Sequence, residues 1–400
     1  MRRTPRFAPL TALQPGAGGA ARTHPPRCAS MRRMASVRLS TFDDWIDYFR
    51  RWQKEIDLDP AITAGYTFEA KYGGLHEPAI EFGDYRGERK WETLLEVPDQ
   101  RIRDALLHLI TYQGDTEFGS VEQQRHLAAA APTDRDLESL VRVMREEMRH
   151  GWQMCHLLMT HFGGSGRIEA QKLLDRRSFN NNRLLGSFNV PVDNWLDFFT
   201  YTQFIDRDGK FQLGMLSHSA FAPLARSMGP MLKEESFHLG TGNHGLKRIV
   251  KAGRLPAPLI QKYFNKWIPT AFDLFGTDGS SSAHWAYVWG LKGRFDEDQN
   301  DAAPDRDHLN EYARELYTRE IAGLVEALNR ERPAETPPLY IPDQRFNRRI
   351  GEHSGGRYSV GGEPLDQAAC DRHLAEVLPG ETDRHEVERL SRDPGWILER

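Results

Sequence analysis

An all-α protein is expected, with a four-helix bundle at its centre, extra helices around it and a small C-terminal extension. Three observations carry this reading. Apolar stripes recur at spacings of three and four residues, the signature of a buried helix face. The breaks between stripes hold Pro, Gly, Asp or Asn, the residues that start and stop helices. Two of the stripes also carry one acid-and-imidazole pattern, "MREEMRH" at 144–150 and "MLKEESFH" at 231–238.

Composition narrows the class. At 400 residues, 39% hydrophobic and 28% charged, the chain suits a soluble globular protein with a sizeable core. A net charge of −4 argues against a nucleic-acid partner, which usually calls for a basic excess. No apolar run approaches the roughly 18 residues of a membrane span, so no membrane is expected. Cys28, Cys155 and Cys370 are too few and too scattered for a disulfide framework or a zinc site. That usage suits a reducing, cytoplasmic setting.

Taken in order, residues 1–36 hold seven arginines and no acid in a Pro/Gly/Ala-rich filling. No amphipathic or apolar segment accompanies them. A disordered basic tail over 1–40, or a start at Met31 or Met34, is therefore expected in preference to a transit peptide. Residues 41–335 form the helical domain, and 336–400 a C-terminal extension packed on the bundle. "STFDDWIDYFRRWQKEI" opens the domain as a helix with Ser40 or Thr41 as N-cap. Residues 60–98 are rich in Gly and Pro and read as loops with a short hairpin. Four long helices follow at about 100–130, 134–163, 192–224 and 227–252, with 181–195 as a linker. Further helices cover about 257–275, 280–295 and 305–330. A proline-rich break at 332–344 leads to a small hairpin and one or two short helices.

The chemistry lies in the four long helices. Glu147 shares its stripe with Leu140, Met144, Gly151, Met154 and Leu158; Glu235 shares its own with Met228, Leu232, Leu239, Gly242 and Leu246. An unpaired buried carboxylate costs several kcal/mol or takes up a proton. A cation should meet each one, and His150 and His238 at i+3 project the same way. One Glu-x-x-His is expected by chance about once in such a chain. Here there are two, both on apolar faces. A carboxylate-bridged dimetal site takes a Glu-x-x-His from each of two helices and one acid from each of the others. Glu117 precedes Glu147 by 30 residues and Asp206 precedes Glu235 by 29, about half a helix, a turn and half a helix. Asp115 and Asp208 are rival acids that the pattern leaves open. Glu146 and Glu234 point about 100° away and are read as solvated or as supports for the ligands. Four carboxylates and two imidazoles make a hard anionic site suited to iron or manganese. Two Fe ions so held can reduce O2.

"YQGDTEFGSVEQQRHL" (112–127), "IDRDGKFQL" (205–213), "KEESFH" (233–238) and "GLKGRF" (290–295) resemble the oxygenase component of benzoyl-CoA 2,3-epoxidase. That family is related to other ferritin-like diiron oxygenases, among them the phenylacetyl-CoA epoxidase catalytic subunit. The likeness runs from about residue 65 to the C-terminus. It implies iron ligation by Glu117, Glu147, His150, Asp206, Glu235 and His238, with Glu147 and Glu235 bridging and Glu117 and Asp206 terminal. It implies an O2-dependent epoxidation of an aryl-CoA ring, with NADPH electrons supplied by a separate reductase. Consistent with a separate reductase, neither "GGSGR" nor "GAGGA" is a dinucleotide fingerprint. Gln113 and Gly114, one turn before Glu117, are candidate substrate contacts, with close helix packing as the other reading of Gly114. Lys292, Arg294, Arg345, Arg348 and Arg349 either hold the CoA phosphates or form a solvated charged face. Alternatives are a non-catalytic scaffold, another diiron oxidase or hydroxylase, and a phenylacetyl-CoA 1,2-epoxidase-type subunit. The intact set of six ligands argues against the scaffold.

Overall fold

Side-chain caps set most of the helix starts. Thr41 accepts from the Asp44 amide while Asp44 reaches back, a capping box that begins α1 (Phe42–Glu55). Asp59 caps α2 (Pro60–Thr63), Asp99 caps α3 (Gln100–Gln124) and Thr133 caps α4 (Asp134–His161). Then come α5 (Gly163–Asp175), α6 (Trp195–Leu216) behind an Asn194 cap, and α7 (Ala222–Ala252), which ends at the left-handed Gly253. The chain continues through α8 (Ala257–Leu274), α9 (Ser281–Val288), α10 (Asn310–Glu331), α11 (Gln367–Val377) and α12 (Glu381–Leu390). The computed structural model describes residues 39–297 and 309–398. The basic segment, all but its last two residues, and the first residues of the helix expected at 305–330 lie outside the described residues.

The architecture is all-α, a ferritin-like four-helix bundle with additional helices. Nine residues link α3 to α4, too few to run back along a helix about 37 Å long, so the two are antiparallel neighbours. Five residues join α6 to α7 with the same consequence. The two pairs pack against each other through α4 and α7, with α5 laid on α4 and α8 on α6. Among the described residues β structure is limited to isolated bridges, Ala79–Arg89, Trp91–Phe221 and Tyr358–Pro364. The two expected hairpins are thus single-bridge turns. No helix among the described residues is long and apolar enough to cross a membrane.

Several boundaries differ from expectation for local reasons. The helix foreseen over 100–130 stops at Gln124 and resumes as a 3-10 turn at Ala128–Ala130. The helix foreseen over 192–224 ends at Leu216, and its last residues belong to α7, which runs unbroken through Pro230. Proline lacks the N–H that would bond the Arg226 carbonyl one turn back. The Gly73 amide bonds that carbonyl instead, at 2.8 Å. Helix α5 is not foreseen, because its glycine-rich start has the composition of a break; Gly163 takes a φ of 53° there.

The four bundle helices approach closely at glycine. A Cβ on Gly242 would stand 2.6 Å from the Gln203 amide of α6, and one on Gly151 would meet the Phe118 ring at 2.6 Å. These glycines draw α7 onto α6 and α4 onto α3 beside the glutamates. Beyond residue 336, Asp383 pairs with Lys262 of α8 at 2.9 Å, and the Leu398 carbonyl accepts from Arg248 of α7.

Candidate metal centre

Glu117 of α3, Glu147 and His150 of α4, Asp206 of α6, and Glu235 and His238 of α7 are all buried, none more than 6% exposed. One ligand atom each from Glu117, Glu147 and His150 lies within 4.8 Å of the others, and so does one each from Glu147, Glu235 and His238. Glu147 is common to both groups. His150 Nδ1 stands 3.3 Å from Glu117 and 3.5 Å from Glu235. His238 Nδ1 stands 3.3 Å from Glu235 and 3.6 Å from Glu147. Asp206 feels the charges of Glu235, His238, Glu117 and His150. The structure thus brings Glu117, Glu147, His150, Glu235 and His238 into one cluster, with Asp206 on the wall of the same cavity.

The rivals fall elsewhere. Asp115 is buried in a structural network, accepting from the Leu184 amide at 2.6 Å and from Arg183 at 3.1 Å. Asp208 accepts from Gln212 and faces a cavity one step further along α6.

Both imidazoles turn Nδ1 inward and Nε2 outward. Each Nε2 meets the neighbouring acid of the opposite motif, Glu234 for His150 at 2.8 Å and Glu146 for His238 at 3.1 Å. The paired glutamates therefore cross over: each helix supplies the support for the other helix's histidine. Arg149 Nε donates to Glu234 at 2.8 Å. The second motif has Phe237 where the first has Arg149. There Arg142 reaches across, its guanidinium 3.7 Å from the Phe237 ring centre and 2.9 Å from Glu146. Outward hydrogen bonds of this kind fix the ring orientation of a ligating histidine.

Inward, buried polar atoms are left without partners: both Nδ1 atoms, Asp206 Oδ2 and Glu235 Oε2. Buried polar groups are normally satisfied, so this concentration at one point needs a cation. Protonation follows the same logic. Burial, then the charge of Glu117, push the Glu147 carboxyl well above its usual range. Burial and Glu235 do the same to Asp206. Burial works against the charged imidazoles, yet the carboxylates around His150 and His238 outweigh it and raise both. Glu117 is held low because His150 outweighs the cost of its burial. Without an ion, protons stand where positive charge is needed. Oxygen-rich donors with two imidazoles and no thiolate fit iron or manganese.

The four carboxylates line one end of a cavity of about 500 Å³. Apolar side chains, among them Leu109, Phe188, Ile205, Leu213 and Leu216, make up much of its wall. Gln113 lines it and donates to Glu117 at 2.6 Å. Gly114 does not: a Cβ there would meet Leu173 at 2.8 Å and Met154 at 3.1 Å, which is close helix packing. Lys292 also faces the cavity, where burial brings its pKa down to about 8, while burial pushes Asp208 up to about 7. Arg294, Arg345 and Arg348 are paired with Glu297, Asp343 and Asp273. Arg294 and Arg348 are buried in these pairs, whereas Arg345 and Arg349 remain open to solvent.

Sequence reasoning missed two cavity residues. Ser120 donates to Glu147 at 3.2 Å; a hydroxyl at i+3 from Glu117 was the signal. Tyr201, with a buried hydroxyl that makes no hydrogen bond, reads as core in "FFTYTQF" and carried no signal.

Residues 95–334 match the family model described as phenylacetic acid catabolic protein. The chain is 37% identical over 361 residues to the benzoyl-CoA oxygenase component B of Aromatoleum evansii, covering 78% of this chain and 75% of that protein. It is 25% identical over 266 residues to one subunit of the 1,2-phenylacetyl-CoA epoxidase of Escherichia coli (strain K12), covering 65% of this chain and 79% of that one.

Proposed function

Because the chain belongs to the phenylacetic acid catabolic protein family, we propose that it is the oxygenase component of a multicomponent aryl-CoA epoxidase. Glu117, Glu147, His150, Asp206, Glu235 and His238 would hold two iron ions. The ions, when bound, supply the reduction of O2 that delivers one oxygen atom to the ring. A separate NADPH-dependent reductase provides the electrons, in keeping with relatives whose names mark them as components or subunits. The substrate is benzoyl-CoA and the product 2,3-epoxybenzoyl-CoA, a choice supported by the higher identity and coverage of this chain with the benzoyl-CoA relative.

The chain's own residues do the rest. Glu234 and Glu146 hold the two imidazoles in the tautomer that presents Nδ1 inward. Gln113 and Ser120 orient Glu117 and Glu147. The apolar walls seat an aromatic ring against the carboxylate end and exclude water from it.

The observation that carries this reading is the convergence of buried Nδ1 and carboxylate oxygens that make no hydrogen bond, beside a cavity the four carboxylates line. The test is metal content after anaerobic Fe(II) loading and desalting. About two irons per chain are expected in the wild type and a marked loss in Glu235→Ala. Benzoyl-CoA-dependent O2 consumption with a reductase then tests the substrate. A wild type that retains no metal would remove the proposal.

A further inference from the structure

One stretch of the cavity wall is a compact polar group. Lys292 Nζ donates to Gln212 Oε1 at 2.8 Å and to Asn310 Oδ1 at 2.9 Å, and Gln212 Nε2 donates to Asp208 Oδ1 at 2.9 Å. All four residues line the cavity that the carboxylates line. An ammonium has three N–H groups, and two are used here. A buried cation bonded only to neutral amides, with a carboxylate nearby, is an expensive thing to build into a channel wall. It calls for a ligand.

Charge selects the ligand's chemistry. One cation that already feels two carboxylates, Asp208 and Asp278, does not suit a diphosphate, which needs several cations and would be repelled by Asp208. A carboxylic acid would meet the same repulsion. A secondary amide fits: its carbonyl takes a donor and its N–H an acceptor.

Distance selects which amide. Gln212 lies six residues beyond Asp206 on α6, about 9 Å along the axis. In benzoyl-CoA the path from the ortho ring carbon, the nearer of the two that would be epoxidised, to the first amide nitrogen is six bonds, about 8 Å when extended. A ring at the carboxylate end therefore brings that amide level with the polar group.

We propose that Asp208, Gln212, Lys292 and Asn310 form the subsite that holds the first amide of the pantetheine arm, with Lys292 donating to its carbonyl and Asp208 accepting from its N–H. The inference rests on the aryl-thioester reading above. It gives Lys292 the role of a specificity residue, one that measures the distance from thioester to amide.

The test compares two small thioesters on the iron-loaded protein, S-benzoyl-N-acetylcysteamine and S-pentyl thiobenzoate. They have equal chain length and differ in the amide. An apolar channel alone would favour the pentyl compound. The wild type should bind the amide compound about ten- to a hundredfold more tightly, the range for hydrogen bonds to a charged group. Lys292→Met should abolish that preference without weakening the pentyl compound, with iron content and melting temperature checked in parallel. The wild-type comparison stands even where the variant folds poorly. Equal binding of the two by wild type, or a preference that survives in Lys292→Met, would overturn the subsite while leaving the aryl-thioester reading intact. Binding of neither compound by folded, iron-loaded wild type would overturn both.

Discussion

His150 and His238 each use their two nitrogens in opposite directions, so one side chain links the charged outer cleft to the buried centre. Glu234 is the clearest test of that link. It accepts from Arg149, His150 and Lys71, and Arg149 is only 4% exposed. Glu234→Ala strands a buried guanidinium and frees the His150 ring. The expected results are a loss of roughly 2–4 kcal/mol in the metal-free protein and a ten- to hundredfold loss of metal affinity in a chelator competition. Protonation supplies a second test at this scale. Glu147, Asp206, His150 and His238 have raised pKa values, so the folded metal-free protein binds protons more tightly than the unfolded chain. Stability from such groups is present below their unfolded pKa and is lost as pH climbs through the folded value. The loss begins above about pH 4 for the acids and above about pH 6.5 for the histidines. Glu117, Glu146 and Glu234 are lowered and act oppositely, losing stability as pH falls below about 4. Melting curves of metal-free protein from pH 6 to 9 should therefore show a falling midpoint. Fe(II) should relieve the fall increasingly towards high pH, because it displaces those protons. A midpoint that rises over this range would contradict the arrangement.

At the scale of single elements, α7 carries two glycines two residues apart with different surroundings. Gly242 faces the α6 backbone, which cannot give way, whereas a Cβ on Gly240 would meet nothing within 4 Å. Gly242→Ala should cost about 1–3 kcal/mol and loosen the pairing that sets Asp206 against Glu235. Gly240→Ala should instead stabilise by about 0.5–1 kcal/mol. Denaturant melts of the two variants decide it. These helices also show what the sequence could reveal. Periodicity carries the four central helices because each must bury a long stripe, and helical spacing with loop length brings both Glu-x-x-His motifs and their partner acids level, leaving Asp115 and Asp208 to be separated by the packing. Boundaries are less legible, since they hang on distant partners. No local pattern foretells that Gly73 will satisfy the Arg226 carbonyl and let α7 run through Pro230. The crossed supports of the histidines are half legible: Glu146 and Glu234 leave the ligand face, but which histidine each one meets depends on how α4 and α7 are packed. Tyr201 and the inward turn of Lys292 were hidden for a similar reason, because a cavity is defined by several elements at once.

For the molecule as a whole, the centre and the cavity are built from overlapping but different parts. The six proposed ligands come from α3, α4, α6 and α7. The cavity borrows the early turns of α3 through Ala105 and Leu109, then runs past α6 to α9 and the segment around Lys292. Holding metal and admitting substrate should therefore be separable by mutation. Ala105 is the position to use: it is half-buried, lines the cavity and lies twelve residues before Glu117, about 18 Å along α3. An indole there projects into the channel instead of into packed core, so little stability is at stake. Ala105→Trp should keep the wild-type iron content and a melting temperature within a few degrees. It should weaken benzoyl-CoA binding by tenfold or more, and the protection that substrate gives against thermal unfolding should shrink with it, since that protection scales with occupancy. If iron is lost as well, the two functions share more structure than their linings indicate. Unchanged substrate affinity would mean that the thioester enters by another route, such as the charged cleft formed by Lys71, Arg142, Arg145 and Glu234 on the histidine side.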